Sequence, residues 1–316
     1  MNRDFKKHNF GLRSRQIWKA LHFAAKEAVH AGSLSETTVA NAKTTFKDFG
    51  LHLKDEAIFD LRNVKQSHVH SYADLLRDRV EAGEITWNTA TEYLGRVNAA
   101  LERASGSRSA CVTASEMDFP KRDGIAREDR SQEIDHRHAQ LSEQHQALLG
   151  LCRHLKLRFE ESVKFNAVAS VGLSIGDSVT IERGTKGGRP RQIEIRCQVE
   201  LDAIRRAAAI QPGQYTQIPP QSDYKTFKAR FYKEIQDTGI RPHALRHRGA
   251  QELYLQLAGV PCPIAAGVHH KEHRAFIAQE LGVSSHRARE IDIAARMVVA
   301  QDLGHGRIEI TNAYLG

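Results

Sequence analysis

His243-Ala244-Leu245-Arg246-His247, then Leu303-Gly304-His305, then Tyr314 nine residues beyond His305: this ordered set, late in the chain, decides how the rest is read. Between the last two lies Gly306 to Ala313, which reads as a short turn followed by a helical piece and lets an imidazole and a phenol share one cleft. Upstream stand Leu157-Arg158-Phe159-Glu160-Glu161 and Thr185-Lys186-Gly187-Gly188-Arg189. Singly, each has an ordinary reading: Arg158 as an i,i+3 partner of Glu161, Lys186 as a solvated turn charge, Tyr314 as a packing residue. Their joint order is what carries information.

Taken together, these five landmarks resemble those of the tyrosine recombinase (phage integrase) family: an arginine box at Arg158, a hairpin lysine at Lys186, HxLRH, LGH and a final tyrosine. The resemblance implies a mainly α fold with a small β-hairpin. A helical, SAM-like core-binding domain is expected over residues 1–110, a linker over 111–131 and an α+β catalytic domain over 132–316. The implied activity is site-specific DNA recombination, as by the integrase of a mobile element; the alternative is a catalytically idle DNA-binding protein of the same fold. The implied partners are double-stranded DNA, a tetramer of the chain on two DNA sites, and an accessory DNA-bending or directionality protein.

The chemistry explains the residue types. A phosphodiester transition state gathers negative charge on its non-bridging oxygens, which preorganised Arg and His donors stabilise. By resemblance Arg158 and Arg246 form that clamp and Glu161 holds the arginine in place. His243 and His305 each add a donor, and either can move the nucleophile's proton. Tyr314 is the covalent nucleophile, whose phosphotyrosine stores the bond energy so that no ATP is needed. Lys186 is the general acid for the departing 5′-hydroxyl. No metal or other cofactor is expected in this scheme, since cationic side chains supply the positive charge.

The 46 Lys and Arg residues exceed the 38 Asp and Glu, a net charge of +8 that favours a polyanionic partner. Basic residues gather between 180 and 196, and again between 225 and 248, beside the landmarks. Arg183, Arg189, Arg191, Lys225, Lys228 and Arg248 are therefore the expected DNA contacts. The four cysteines form no CxxC pair, which points to reduced thiols in a cytoplasmic protein. No apolar run approaches the roughly 18 residues of a membrane span.

Periodicity predicts four helices before residue 105. Ile17, Leu21, Ala24 and Ala28 face inward on the first, with Ser33-Leu34-Ser35-Glu36 as a capping box before the second. Val39, Phe46, Phe49 and Leu53, then Val69, Tyr72, Leu76 and Val80, then Tyr93, Val97 and Leu101 mark the inner faces of the other three. Helical patterning resumes over 132–151. Residues 178–181 and 192–195 read as two strands around a Gly-Gly turn, and 199–210 and 224–236 as helices.

Two features depart from the family pattern: a lengthened interval before His305, and only Leu315 and Gly316 after Tyr314. The interval from Arg246 to His305 looks lengthened by an insertion between Pro261 and Arg296, whose Phe276, Ile277, Leu281 and Ile291 offer an apolar face for linking protomers. Within it Ala278 to Val283 echoes Ala300 to His305, but Val283 lacks a donor, so the role falls to His305. The cluster Cys262, His269, His270 and His273 invites a zinc reading, but lacks the paired short spacings of a structural site.

Overall fold

The computed structural model describes residues 3–121, 123–126, 129 and 140–316, which divide into two compact units, Met1–Asp123 and Gly124–Gly316. The fold is mainly helical, with one two-stranded sheet among the described residues.

In the first unit α1 (Ile17–His30), α2 (Glu36–Asp55), α3 (Gln66–Glu81) and α4 (Trp87–Ser105) enclose one core. The inward residues are those the periodicity selects: Leu21, Phe46, Phe49, Leu53, Tyr72, Leu76 and Val97 are all essentially inaccessible. The cap of α2 differs from the expected box. Ser35, not Ser33, accepts the Thr38 N–H at 3.1 Å, and Glu36 is drawn into an ion pair with Lys26. Thr86 caps α4 in the same way through Thr89 N–H at 3.2 Å. Beyond α4 the chain stays in this unit, for Val112, Met117 and Phe119 are buried in its core although they lie within the stretch expected to be linker.

The first α-helix among the described residues of the second unit is α5 (Glu143–His154); residues 132–139 of the helix expected there lie outside the described residues. Next come α6 (Phe159–Lys164), β1 (Ser178–Ile181), β2 (Arg191–Glu194), α7 (Gln198–Ala209), α8 (Tyr224–Ile235) and α9 (Pro242–Ala258). The strands pair antiparallel, Ser178 opposite Glu194 and Ile181 opposite Arg191. Between them Gly187 and Gly188 take φ of 75° and 69° in the turn that carries Lys186. Pro242 opens α9 and left-handed Gly259 closes it. The missing side chain of Gly249 lets α9 press on α5, since a Cβ there would stand 1.8 Å from the Arg153 carbonyl oxygen.

The rest of the unit is α10 (Pro263–Ala266), α11 (His273–Leu281), α12 (Ser285–Asp302) and α13 (Asn312–Leu315). Here the expected free apolar face is corrected. Ile277 is fully buried, and Phe276 and Ile291 pack against the same core as Tyr254, Val299 and Tyr314; of the four, Leu281 is the most open, at 37% exposure. The sequence echo also has a physical explanation. Gly282 and Gly304 both take positive φ, 62° and 68°, and the amides of Val283 and His305 return to the carbonyls of Ala278 and Ala300 at 3.0 and 2.8 Å. Each copy is a Schellman helix stop, so the motif is a way of ending a helix before it is a catalytic signature.

Candidate active site

Glu161 organises the site from its floor. It sits on the first turn of α6, fully buried, and receives Arg158 twice at 2.7 Å, through the backbone N–H and Nη1. Arg191 grips both its oxygens, also at 2.7 Å, and Arg246 lies 3.5 Å away. Burial alone would raise this carboxyl, but the Arg191 hydrogen bonds and charge, then Arg158 and Arg246, outweigh it and hold Glu161 below its usual range. The i,i+3 pairing of Arg158 with Glu161 is thus real, and it fixes the guanidinium rather than decorating a surface.

Arg246 is fully buried on the first turns of α9. Its Nη2 donates to the Leu303 carbonyl at 2.6 Å and its Nη1 to the Lys156 carbonyl. Arg158 Nη2 reaches the same Leu303 oxygen at 3.4 Å. The Nε of Arg246 makes no hydrogen bond among the described residues, and the guanidinium lies close enough to Tyr314 to interact with its phenol.

Beneath these contacts lies a charge network absent from the sequence reading. Lys156 Nζ pairs with Glu200 at 2.8 Å and Asp302 at 3.2 Å, and Arg196 reaches Asp302 at 2.8 Å. Lys156, Glu200 and Asp302 are all buried. Lys156 carries one carbonyl that holds Arg246, and Asp302 immediately precedes Leu303, which carries the other.

Tyr314, 6% exposed, stands over this floor. Its hydroxyl is 3.4 Å from His305 Nε2, and the Arg246 guanidinium is 5.7 Å from its ring centroid. The ring of His243 is 5.9 Å away, and that of His247 is closer still, at 4.4 Å and a 35° tilt. His305 is lowered to about 4 by burial and then by the positive charges of Arg246, Arg158, Arg191 and Lys186. His243, more open to solvent, is lowered by the protein mass around it and then by Arg246 and Arg158. Near neutral pH both imidazoles are therefore neutral, in a site whose fixed charges are mainly positive.

Lys186 is exposed on the hairpin, near enough for its charge to act on His305. Arg183 and Arg189 on the same hairpin, and Lys225 and Lys228 on α8, are exposed as a DNA-facing role requires. Arg248 is half-buried and pairs with Glu252 at 3.1 Å. Arg191 does not fit that role. It is turned inward, with 7% of its side chain exposed, and is engaged by Glu161 and, at 2.8 Å, by the Asp302 carbonyl. The reason was available in the strand pattern, for Arg191 lies opposite Ile181 and two residues from Ile193, both buried, and shares their face. Gly304 makes room for it: a Cβ there would stand 2.8 Å from Arg191 Cδ.

The zinc reading finds no support. His273 turns to the Pro261 carbonyl at 2.9 Å, and among the described residues no group of three or more His, Cys, Asp or Glu side chains is placed to hold a metal ion.

Residues 122–252 match the sequence family described as integrase, a span that takes in Arg158, Lys186, His243 and Arg246. That segment is what the chain shares in sequence with the integrase family. It shares its fold with the Tn1549 transposon integrase, solved in complex with transposon right end DNA, at a TM-score of 0.52 and 12% identity over 94% of each chain. It also matches the integrase from mycobacterium phage Brujita, at a TM-score of 0.33 and 14% identity over 92% of this chain and 96% of that one. A third match is XerA recombinase, at a TM-score of 0.25 and 13% identity over 94% and 92%. Among curated proteins nothing matches. Among the described residues no helix is long and apolar enough to cross a membrane.

Proposed function

We propose that the chain is a site-specific DNA recombinase that cuts and rejoins DNA through a 3′-phosphotyrosine on Tyr314. The observation that carries this reading is the Tyr314 hydroxyl 3.4 Å from a neutral His305, beside an arginine pair locked on one buried carboxylate. The phenol attacks the scissile phosphorus as the bond to the 5′-oxygen breaks. His305 Nε2 takes the phenolic proton, and Lys186 supplies one to the departing 5′-oxygen. Arg158 and Arg246 stabilise the charge that builds on the non-bridging oxygens. His243 adds a further donor. A DNA hydroxyl then reverses the steps on a new partner strand.

In this reading the unit Met1–Asp123 is the core-binding module, and Arg183, Arg189, Lys225, Lys228 and Arg248 meet the phosphate backbone. Exchange between two duplexes needs four cleavages and hence a tetramer on DNA, with an accessory DNA-bending or directionality protein as a further partner. The test is a nicked suicide duplex whose cleavage is irreversible. A covalent protein–DNA adduct is expected with the native chain and none with Tyr314→Phe; an undiminished adduct in the variant would refute the assignment.

A further inference from the structure

We propose that Arg296 and Asp292 on α12 are positioning residues that hold the Tyr314 segment in the chain's own site, and that this is what the Pro261–Arg296 insertion is for. The proposal rests on Tyr314 being the nucleophile. The segment that carries Tyr314 runs through a 3-10 turn, Ile308–Thr311, into α13, and takes its place from contacts with the rest of the unit.

One buried guanidinium ties this segment to α12. Arg296 Nη1 donates to Thr311 Oγ1 at 3.1 Å and Asn312 Oδ1 at 2.8 Å, while Nη2 reaches the Gly316 carbonyl at 3.4 Å. The tie therefore grips the chain on both sides of Tyr314 without touching its ring. Arg296 is fixed in turn by Asp292, one turn earlier on α12, through Nε at 2.8 Å, and Asp292 accepts the Tyr254 hydroxyl of α9 at 2.8 Å. Gln251, also on α9, donates to the Tyr314 carbonyl at 3.1 Å. Arg296 and Asp292 are 8% and 5% exposed and Thr311 is fully buried, so the contacts are sheltered from competing water. Ile277, Ala288 and Val299 pack α11 and α12 into the same core as Tyr314, which makes the inserted helices a rigid base for the tie.

The test compares three variants with the native protein. Thr311→Val with Asn312→Ala removes two acceptors without stranding a buried charge. Arg296→Lys keeps Asp292 neutralised but cannot span both flanks of Tyr314. Lys186→Ala is the control for leaving-group chemistry. Single-turnover adduct formation is measured on nicked duplexes carrying either the ordinary 5′-oxygen or a bridging 5′-sulfur, which leaves without an acid. Half-site binding is followed by gel shift, and amide exchange across residues 306–316 by mass spectrometry. The expected result for the first two variants is adduct formation slowed on the order of tenfold to a hundredfold on both duplexes, with half-site affinity unchanged and exchange across 306–316 accelerated. Sulfur should rescue Lys186→Ala alone. Unchanged adduct rates or unchanged exchange in both Thr311→Val/Asn312→Ala and Arg296→Lys would overturn the proposal. Its failure is distinct from failure of the Tyr314 assignment, which shows as an adduct that survives Tyr314→Phe.

Discussion

Replacing Lys156 by Met tests whether the buried charge network supports the catalytic floor. The side chains are similar in length, so the change removes the ammonium with little change in packing. It leaves Glu200 and Asp302, now 2.8 and 3.2 Å from an apolar group, in a place where neither reaches bulk water. Removing one partner of a buried pair costs about 3–5 kcal/mol, because the other charge stays desolvated. Arg196 still neutralises Asp302 at 2.8 Å and donates its backbone N–H to Glu200 at 2.6 Å, which places the loss near the lower end, about 3 kcal/mol. For a unit of this size that corresponds to a melting temperature roughly 6–12 °C lower. The assay is reversible thermal unfolding of the full chain, following the transition that Gly249→Ala, which forces a Cβ onto the Arg153 carbonyl, also shifts. Adding Glu200→Gln should recover part of the loss, since it removes the stranded charge. A loss below about 1 kcal/mol for Lys156→Met would refute the claim that these charges are buried and mutually dependent.

Other expectations follow from the same geometry. Gly304→Ala should destabilise by roughly 1–2 kcal/mol and slow adduct formation, because it strains a φ of 68° and displaces Arg191 from Glu161; calorimetry and a suicide duplex measure the two effects. His305, held near 4 against 6.5 for a free imidazole, takes up its proton in the unfolded chain before the folded one, so its contribution to stability is full above pH 6.5 and is lost as pH falls towards 4. His145, His154, His243 and His273 are lowered too, largely by burial, and denaturant titrations across that window should show stability falling steadily with acid. Adduct formation should persist in EDTA, because in the proposed mechanism arginines provide the charge stabilisation; a loss restored by Mg²⁺ would count against that mechanism.

Much of the site could be read from the chain because its parts are tied to local rules. The helix stop that makes Leu303-Gly304-His305 recognisable also aims His305, and the Gly-Gly turn that marks the hairpin carries Lys186. The helices of the first unit follow from inward positions such as Phe46, Phe49 and Tyr72. What stayed hidden depends on contacts between distant residues. Lys156 meets Glu200 and Asp302 across 44 and 146 positions, counting from 156 to 200 and to 302, and nothing in a sequence announces such a pairing. Charge density near the landmarks misplaced Arg191, because counting cations ignores which face of a strand each occupies. Apolar content likewise suggested a free face at Ile277 and Ile291, whereas the core they help to form is the one that holds Tyr314.

In the proposed mechanism a covalent bond joins DNA to one phenol, and that bond can be located. Adduct trapped on a nicked suicide duplex is denatured, digested with nuclease and trypsin, and mapped by mass spectrometry. A nucleotide-phosphate remnant is expected on the peptide that follows Arg307, residues 308–316, carried by Tyr314 as its only tyrosine. A remnant on any other residue, or adduct-free protein after the duplex has been cut, would contradict it.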